Sequence, residues 1–153
     1  MTELAVGVID VFLVDPRNGF RVLTLRRGEG TRCTGAWEIV HGRVEGTERP
    51  EDAAEREVRE ETGLTVERLY NVICQPFYLH KLSVVHVAVV FAAFVDSTLP
   101  VRLSAEHDRH EWLSVEDALA RLTWPRSRRA LEDVRDMLSS GDAGPAEDVL
   151  RVR

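Results

Sequence analysis

Glu57, Glu60 and Glu61 stand at i, i+3 and i+4 in the segment EREVREET. On a helix that spacing puts the three carboxylates on one face, with neighbouring Cβ atoms about 5–6 Å apart. Left to themselves, such groups repel. A hard divalent cation such as Mg²⁺ or Mn²⁺ relieves the repulsion, because clustered carboxylate oxygens are the donors it prefers. Phosphates are then drawn to the ion rather than to the protein. The same run also reads as an ordinary solvated face, since Arg56 and Glu60 stand four apart and can pair. The longer segment around it has to decide between the two.

The helix that must carry these residues starts at Pro50, which suits a first-turn position, with Glu51 and Asp52 where the helix dipole favours negative charge. Ala53, Ala54 and Val58 give it a narrow apolar stripe that can rest on a sheet, and Gly63 suits a left-handed cap. Ala5–Val14 and Arg21–Leu25 read as a hairpin around Pro16, Asn18 and Gly19, followed by a polar loop and a short strand at Trp37–Val40. Val66–Leu79 and Leu82–Val95 read as two more strands, the second apolar enough to be central. A polar loop is expected over Ala105–Glu111. Ser114 then caps a helix over Val115–Leu122, with Asp117 in a capping-box position. A last helix is expected from Pro125 to Leu138, and SSGDAGP after it reads as a loose tail. The expected organisation is one α+β domain over 1–138, a mixed sheet between helices, with a flexible segment over 139–153.

From Gly42 the order is five residues, Glu48, seven residues, Arg56-Glu57-Val58, one residue, Glu60-Glu61, one residue, Gly63-Leu64. That order and spacing resembles the signature of the Nudix hydrolase family. The resemblance implies an α/β/α sandwich over residues 4 to 138 and hydrolysis of a nucleoside diphosphate linked to another moiety, by water attack at phosphorus with bound Mg²⁺ or Mn²⁺. Carried over by position, Glu57, Glu60 and Glu61 would ligate the metal, and Arg56 would orient a catalytic glutamate. Gly42 would offer a carbonyl and a sharp turn, Glu48 would brace the loop or the outer metal shell, and Gly63 would close the helix. A further acid on a later loop is implied as ligand or base. Glu106 matches that position and Glu111 is its rival. Spacing leaves open whether Glu60, Glu61 or Glu106 is the base. One departure from the family pattern stands beside the site: His41-Gly42 replaces the usual Gly-Gly pair, and Gly46 comes one position early.

For the substrate, Trp37, Phe77 and Tyr78 are candidates to stack on a ring. Trp124 and Arg128 resemble a Trp-x-x-x-Arg segment of pyrophosphohydrolases acting on dihydroneopterin triphosphate or deoxynucleoside triphosphates. Arg126 or Arg128 could hold distal phosphates. A triphosphate is the leading expectation, with dinucleoside polyphosphates and nucleotide sugars as alternatives. Two other classes compete: a nucleotide-sensing module that does not cleave, and an isoprenyl diphosphate isomerase, which would want a reactive cysteine near the site. The five histidines show no zinc spacing and read as structural or exposed.

The chain has 153 residues with 20 basic and 26 acidic side chains, net −6, and 44% hydrophobic residues, enough for a packed core. The acid surplus argues against a nucleic-acid partner, so a small nucleotide-type molecule is expected. The longest apolar stretch, Val84–Val95, is too short to cross a bilayer, and the N-terminal apolar run has no cationic start and is broken by Asp10. Cys33 and Cys74 read as reduced thiols, consistent with a cytoplasmic setting. Whether the protein is a monomer or homodimer stays open. Gly42–Leu64 alone holds eight acids and four bases, net −4, so the surplus is mostly local to the signature.

Overall fold

β1 (Glu3–Asp15) is the strand on which the rest is assembled. It runs parallel to β6 (Val84–Phe94) over most of its length, and β6 pairs antiparallel with β5 (Arg68–Leu79). On its other side β1 pairs with β2 (Arg21–Arg27) only at Val14 and Asp15, and with β4 (Val40–Arg43) at Val8–Val11. β3 (Trp37–Glu38) and β7 (His107–Leu113) both pair with β2. The result is one mixed seven-stranded sheet with the path β3-β2-β1-β6-β5. This computed structural model describes residues 1–153.

Helices cover both faces, which is why β1 and β6 can be apolar almost without alternation. α1 (Pro50–Thr62) lies on one face, where Ala53, Ala54 and Val58 pack with Ile9, Val11 and Leu13. α2 (Val115–Arg121) and α3 (Pro125–Leu138) lie on the other, where Ala118, Leu131 and Val134 pack with Phe12 and Val14. Each fully buried leucine or phenylalanine contributes about 1.5–3 kcal/mol. The α+β sandwich expected from the sequence is therefore the observed fold.

The helix ends follow their sequence signals. Pro50 opens α1, Asp52 Oδ2 accepts from the Arg49 N–H at 3.4 Å, and Gly63 closes it at φ 72°, its N–H bonded to the Arg59 carbonyl at 2.9 Å. Ser114 Oγ accepts from Asp117 N–H at 3.2 Å.

Three expectations are corrected. The first hairpin is barely paired, because β1 leaves β2 to take β4 as its neighbour. The expected loop over Ala105–Glu111 is mostly strand: β7 is polar because it lies beside β2 with most side chains outward, so its hydropathy concealed it. Residues 139–153 are not loose. They form a 3-10 turn (Gly144–Ala146) and α4 (Glu147–Leu150), with Ala143 buried and Ala146 and Leu150 against the core. Tyr70 Oη donates to Glu147 Oε1 at 2.9 Å, Val152 N–H to the Leu69 carbonyl at 2.8 Å, and Arg153 pairs with Asp52 at 2.6 Å. The small and polar composition masked these few anchoring residues. No helix is long and apolar enough to cross a membrane.

Candidate active site

α1 presents its carboxylates where β4 passes closest. A Cβ on Gly42 would lie 2.2 Å from Glu57 Cδ, so only glycine lets the strand and the Glu57 side chain occupy this space. Arg56 ties the face together. Its guanidinium donates to Glu48 Oε1 at 2.6 Å, Glu57 Oε1 at 2.8 Å, Glu60 Oε2 at 3.3 Å and the Arg43 carbonyl at 2.8 Å. With acids on several sides its pKa is raised, first by the Glu48 hydrogen bond. Glu48 also accepts from Glu45 N–H at 2.8 Å and so braces the loop before the helix. The pairing of Arg56 with Glu60 foreseen for a solvated face is real, but it is one arm of this network, and Glu60 itself is more than half exposed.

Glu61 differs from the others. It is 4% exposed, and its Oε2 is buried without any hydrogen-bond partner. Burial, then the charges of Glu106, Glu57 and Glu38, push its pKa up to about 9. Burial also raises Glu57, with Glu60 and Glu106 adding to the effect and Arg56 opposing it. The structure thus brings Glu106 into the field of Glu57 and Glu61. Glu111 is not brought there: it pairs with Arg121 at 3.2 Å and Arg109 at 3.7 Å on β7.

As the side chains stand, no three acidic, histidine or cysteine groups converge closely enough to hold an ion. The donor set still suits a hard cation. Its atoms are carboxylate oxygens, one of them buried and unpartnered, and burial together with neighbouring acids raises the pKa of Glu57 and Glu61, a cost that a cation's charge would offset.

A cavity of about 600 Å³ lies across β4 from Glu57, with His41 and Arg43 of that strand in its lining. Phe77, Tyr78, Trp124 and Arg126, four of the six substrate candidates, line it. Arg126 sits with Cζ 4.5 Å from the Phe77 ring centroid, and Phe77 stacks on His86 at 5.5 Å. Trp37 is not in the lining; Arg121 covers its ring at 4.5 Å. Arg128 is also outside it, because its guanidinium is engaged by the Leu122 and Thr123 carbonyls at 2.8 and 3.1 Å.

Sequence reasoning missed the polar part of the cavity. Asp10, 3% exposed on β1, stands opposite His41 on β4, whose Nδ1–H donates to it at 2.6 Å, and it pairs also with Arg126. Burial alone would raise Asp10, but the His41 hydrogen bond and the charges of His41 and Arg126 outweigh it and hold its pKa low. His41 is raised in return: burial opposes its charge, and the Asp10 bond prevails. Glu38 accepts from His107 Nε2–H and from Arg27, both at 2.9 Å, while Trp124 Nε1–H approaches its other oxygen at 3.5 Å. His41, His86 and His107 are therefore more than inert histidines. A lone acid inside the apolar run VIDVFLV was the one available signal for Asp10.

An α/β/α sandwich in which one strand, β4, has a carboxylate-bearing helix on one side and an arginine-lined cavity on the other narrows the class. Residues 1–134 match the NUDIX domain family, and the chain belongs to it. It is 37% identical over 114 residues to an octanoyltransferase from Myxococcus xanthus, covering 73% of this chain and 31% of that protein. It spans about a third of the length of the curated relatives it matches. Among solved structures, the MutT protein from Methanosarcina mazei Go1 superposes with a TM-score of 0.70 at 28% identity, over 88% of this chain and 96% of that one. The E. coli dihydroneopterin triphosphate pyrophosphohydrolase gives 0.67 at 25% identity, over 86% and 96%.

Proposed function

We propose that this chain hydrolyses a phosphoanhydride bond in a nucleoside diphosphate-linked substrate, a triphosphate foremost, with Mg²⁺ as the working ion and Mn²⁺ as a substitute. The observation that carries this reading is Glu61, buried with an unpartnered oxygen in the shared field of Glu57 and Glu106. Glu57, Glu60, Glu61 and Glu106, with the Gly42 carbonyl, are the groups that would hold the ion. When bound, it supplies positive charge for the phosphates and acidifies the attacking water.

The chain's own residues do the rest. Arg56 fixes Glu57 and Glu60 in orientation through one guanidinium, so neither is free to swing away. Of Glu60, Glu61 and Glu106, we assign Glu106 to accept the proton of the attacking water, because it lies outside the helix and its charge is felt at both Glu57 and Glu61. Trp124 and the exposed Tyr78 offer aromatic surface to a ring system, and Phe77, covered by Arg126 and stacked on His86, packs the wall beside them. The likeness to the dihydroneopterin triphosphate pyrophosphohydrolase, together with this cavity, supports a triphosphate on a heteroaromatic nucleoside or pterin-like group. The name octanoyltransferase is not carried over, since the match spans 31% of that protein.

The test is a panel of nucleoside triphosphates, dinucleoside polyphosphates, sugar nucleotides and dihydroneopterin triphosphate, with and without Mg²⁺. Turnover of at least one member, abolished by chelation and by Glu61→Gln, supports the reading. Silence across the panel with both metals, and no change in melting temperature on adding them, refutes it.

A further inference from the structure

The main cavity carries four arginines, Arg32, Arg43, Arg126 and Arg129, against the two acids Asp10 and Glu38. Both acids already have cationic partners, Asp10 in Arg126 and His41, Glu38 in Arg27. The cavity is thus locally basic in a chain of net charge −6.

That excess continues outward. A second hollow of about 310 Å³ is lined by Arg32, Leu79, His80, Lys81 and Leu82. It shares Arg32 and Leu79 with the main cavity and contains no acid. Its floor is the turn between β5 and β6, where Leu82 N–H bonds to the Leu79 carbonyl at 3.1 Å and Ser83 N–H to the His80 carbonyl at 3.2 Å. Lys81 is the only lysine in the chain, and neither it nor Arg32 has a carboxylate partner.

We propose that this outer hollow binds a phosphate monoester carried by the substrate at the end remote from the cleaved anhydride. The inference rests on the nucleotide reading above and adds a second anion site to it. Arg32 and Lys81 bring two positive charges, which match the roughly −1.5 to −2 of a phosphate monoester at pH 7. A planar guanidinium fork and a mobile ammonium can share the oxygens of one phosphate. The substrate class assigned is a nucleotide with charge at both ends: diphosphate toward the α1 carboxylates, ring system in the main cavity, phosphate ester in the outer hollow.

Two ligand pairs differ by one remote phosphate: NADP⁺ against NAD⁺, and coenzyme A against dephospho-coenzyme A. Calorimetric titration of the full chain with each is the test, at low and at raised salt. In at least one pair the phosphorylated member should bind tenfold or more tightly, with the advantage shrinking as salt rises. In Arg32→Gln/Lys81→Gln, whose side chains lie at the surface, the advantage should fall below threefold while the melting temperature holds. Equal affinity within both pairs, no measurable binding by any of the four, or an advantage that survives the double substitution overturns the proposal. Absence of turnover on the panel and on these four ligands with Mg²⁺, with the phosphate preference intact, would count against the hydrolase reading alone.

Discussion

Asp10 and Glu61 are buried to almost the same degree, 3% and 4% exposed, yet burial has opposite outcomes for them. Asp10 faces His41 and Arg126 and is held ionised; Glu61 faces Glu106, Glu57 and Glu38, and its pKa is pushed to about 9. Desolvation acts against charge in both. What differs is the company each keeps. A buried acid with cationic partners is scaffolding for the cavity beside it, whereas one surrounded by other acids is a candidate ligand for a cation.

The comparison breaks most visibly at Glu61. Glu61→Gln should lower Mg²⁺-dependent turnover by about 10²–10⁴-fold, while the metal-free protein melts no earlier than the parent. A variant that kept parental kcat would remove Glu61 from the chemistry. Asp10→Asn should behave in reverse. Removing one charge from a buried pair costs about 3 kcal/mol, the low end because Arg126 and His41 are partly exposed. Urea denaturation measures it, and a neutral result would reduce Asp10 to filler.

Gly42→Ala places a methyl into the Glu57 carboxylate and should cost about 1–3 kcal/mol, with a matching loss of metal affinity by calorimetry. In chelator, stability should decline as pH rises from 6 toward 9. Between the ordinary value of 4.5 and about 9 the folded protein holds a proton on Glu61 that the unfolded chain has released. The melting temperature against pH should therefore slope downward, and Glu61→Gln should flatten it. Smallest of all, Arg128→Ala should cost about 1 kcal/mol through its two carbonyl contacts and leave KM unchanged. A tenfold rise in KM would return Arg128 to the cavity.

The acidic half of the molecule was legible because it is local. Glu57, Glu60, Glu61, Arg56 and Gly63 lie in one helix and its cap, so helical spacing and capping chemistry fix their relations within 23 residues of sequence. Glu106 is different. It was chosen over Glu111 by position in the resemblance, and what brings it to the helix is pairing of Gly28 N–H with the Glu106 carbonyl at 3.0 Å, ahead of β7. The cavity was legible only in its aromatic residues and Arg126. Asp10, His41, Glu38 and His107 come from four strands: Asp10 meets His41 because β4 displaces β2 as the neighbour of β1, and Glu38 meets His107 because β3 and β7 both pair with β2. No short-range signal encodes that exchange. Trp37 and Arg128 lie outside the cavity lining for a related reason: their side chains are engaged by partners far away on the sequence or by backbone carbonyls, which residue type does not reveal.

His41 and Gly42 are consecutive on β4, and consecutive strand residues point to opposite faces. His41 meets Asp10 on the cavity side; Gly42 meets Glu57 on the α1 side. The sheet here acts as a partition one residue thick, and β4 sets the alignment of the two compartments on either side of it. Adding one residue inside Val40–Arg43 would turn an imidazole toward Glu57 and leave Asp10 opposite a hydrogen atom, undoing both sites at once. The same addition in the turn that follows, around Gly46, would leave the partition in register.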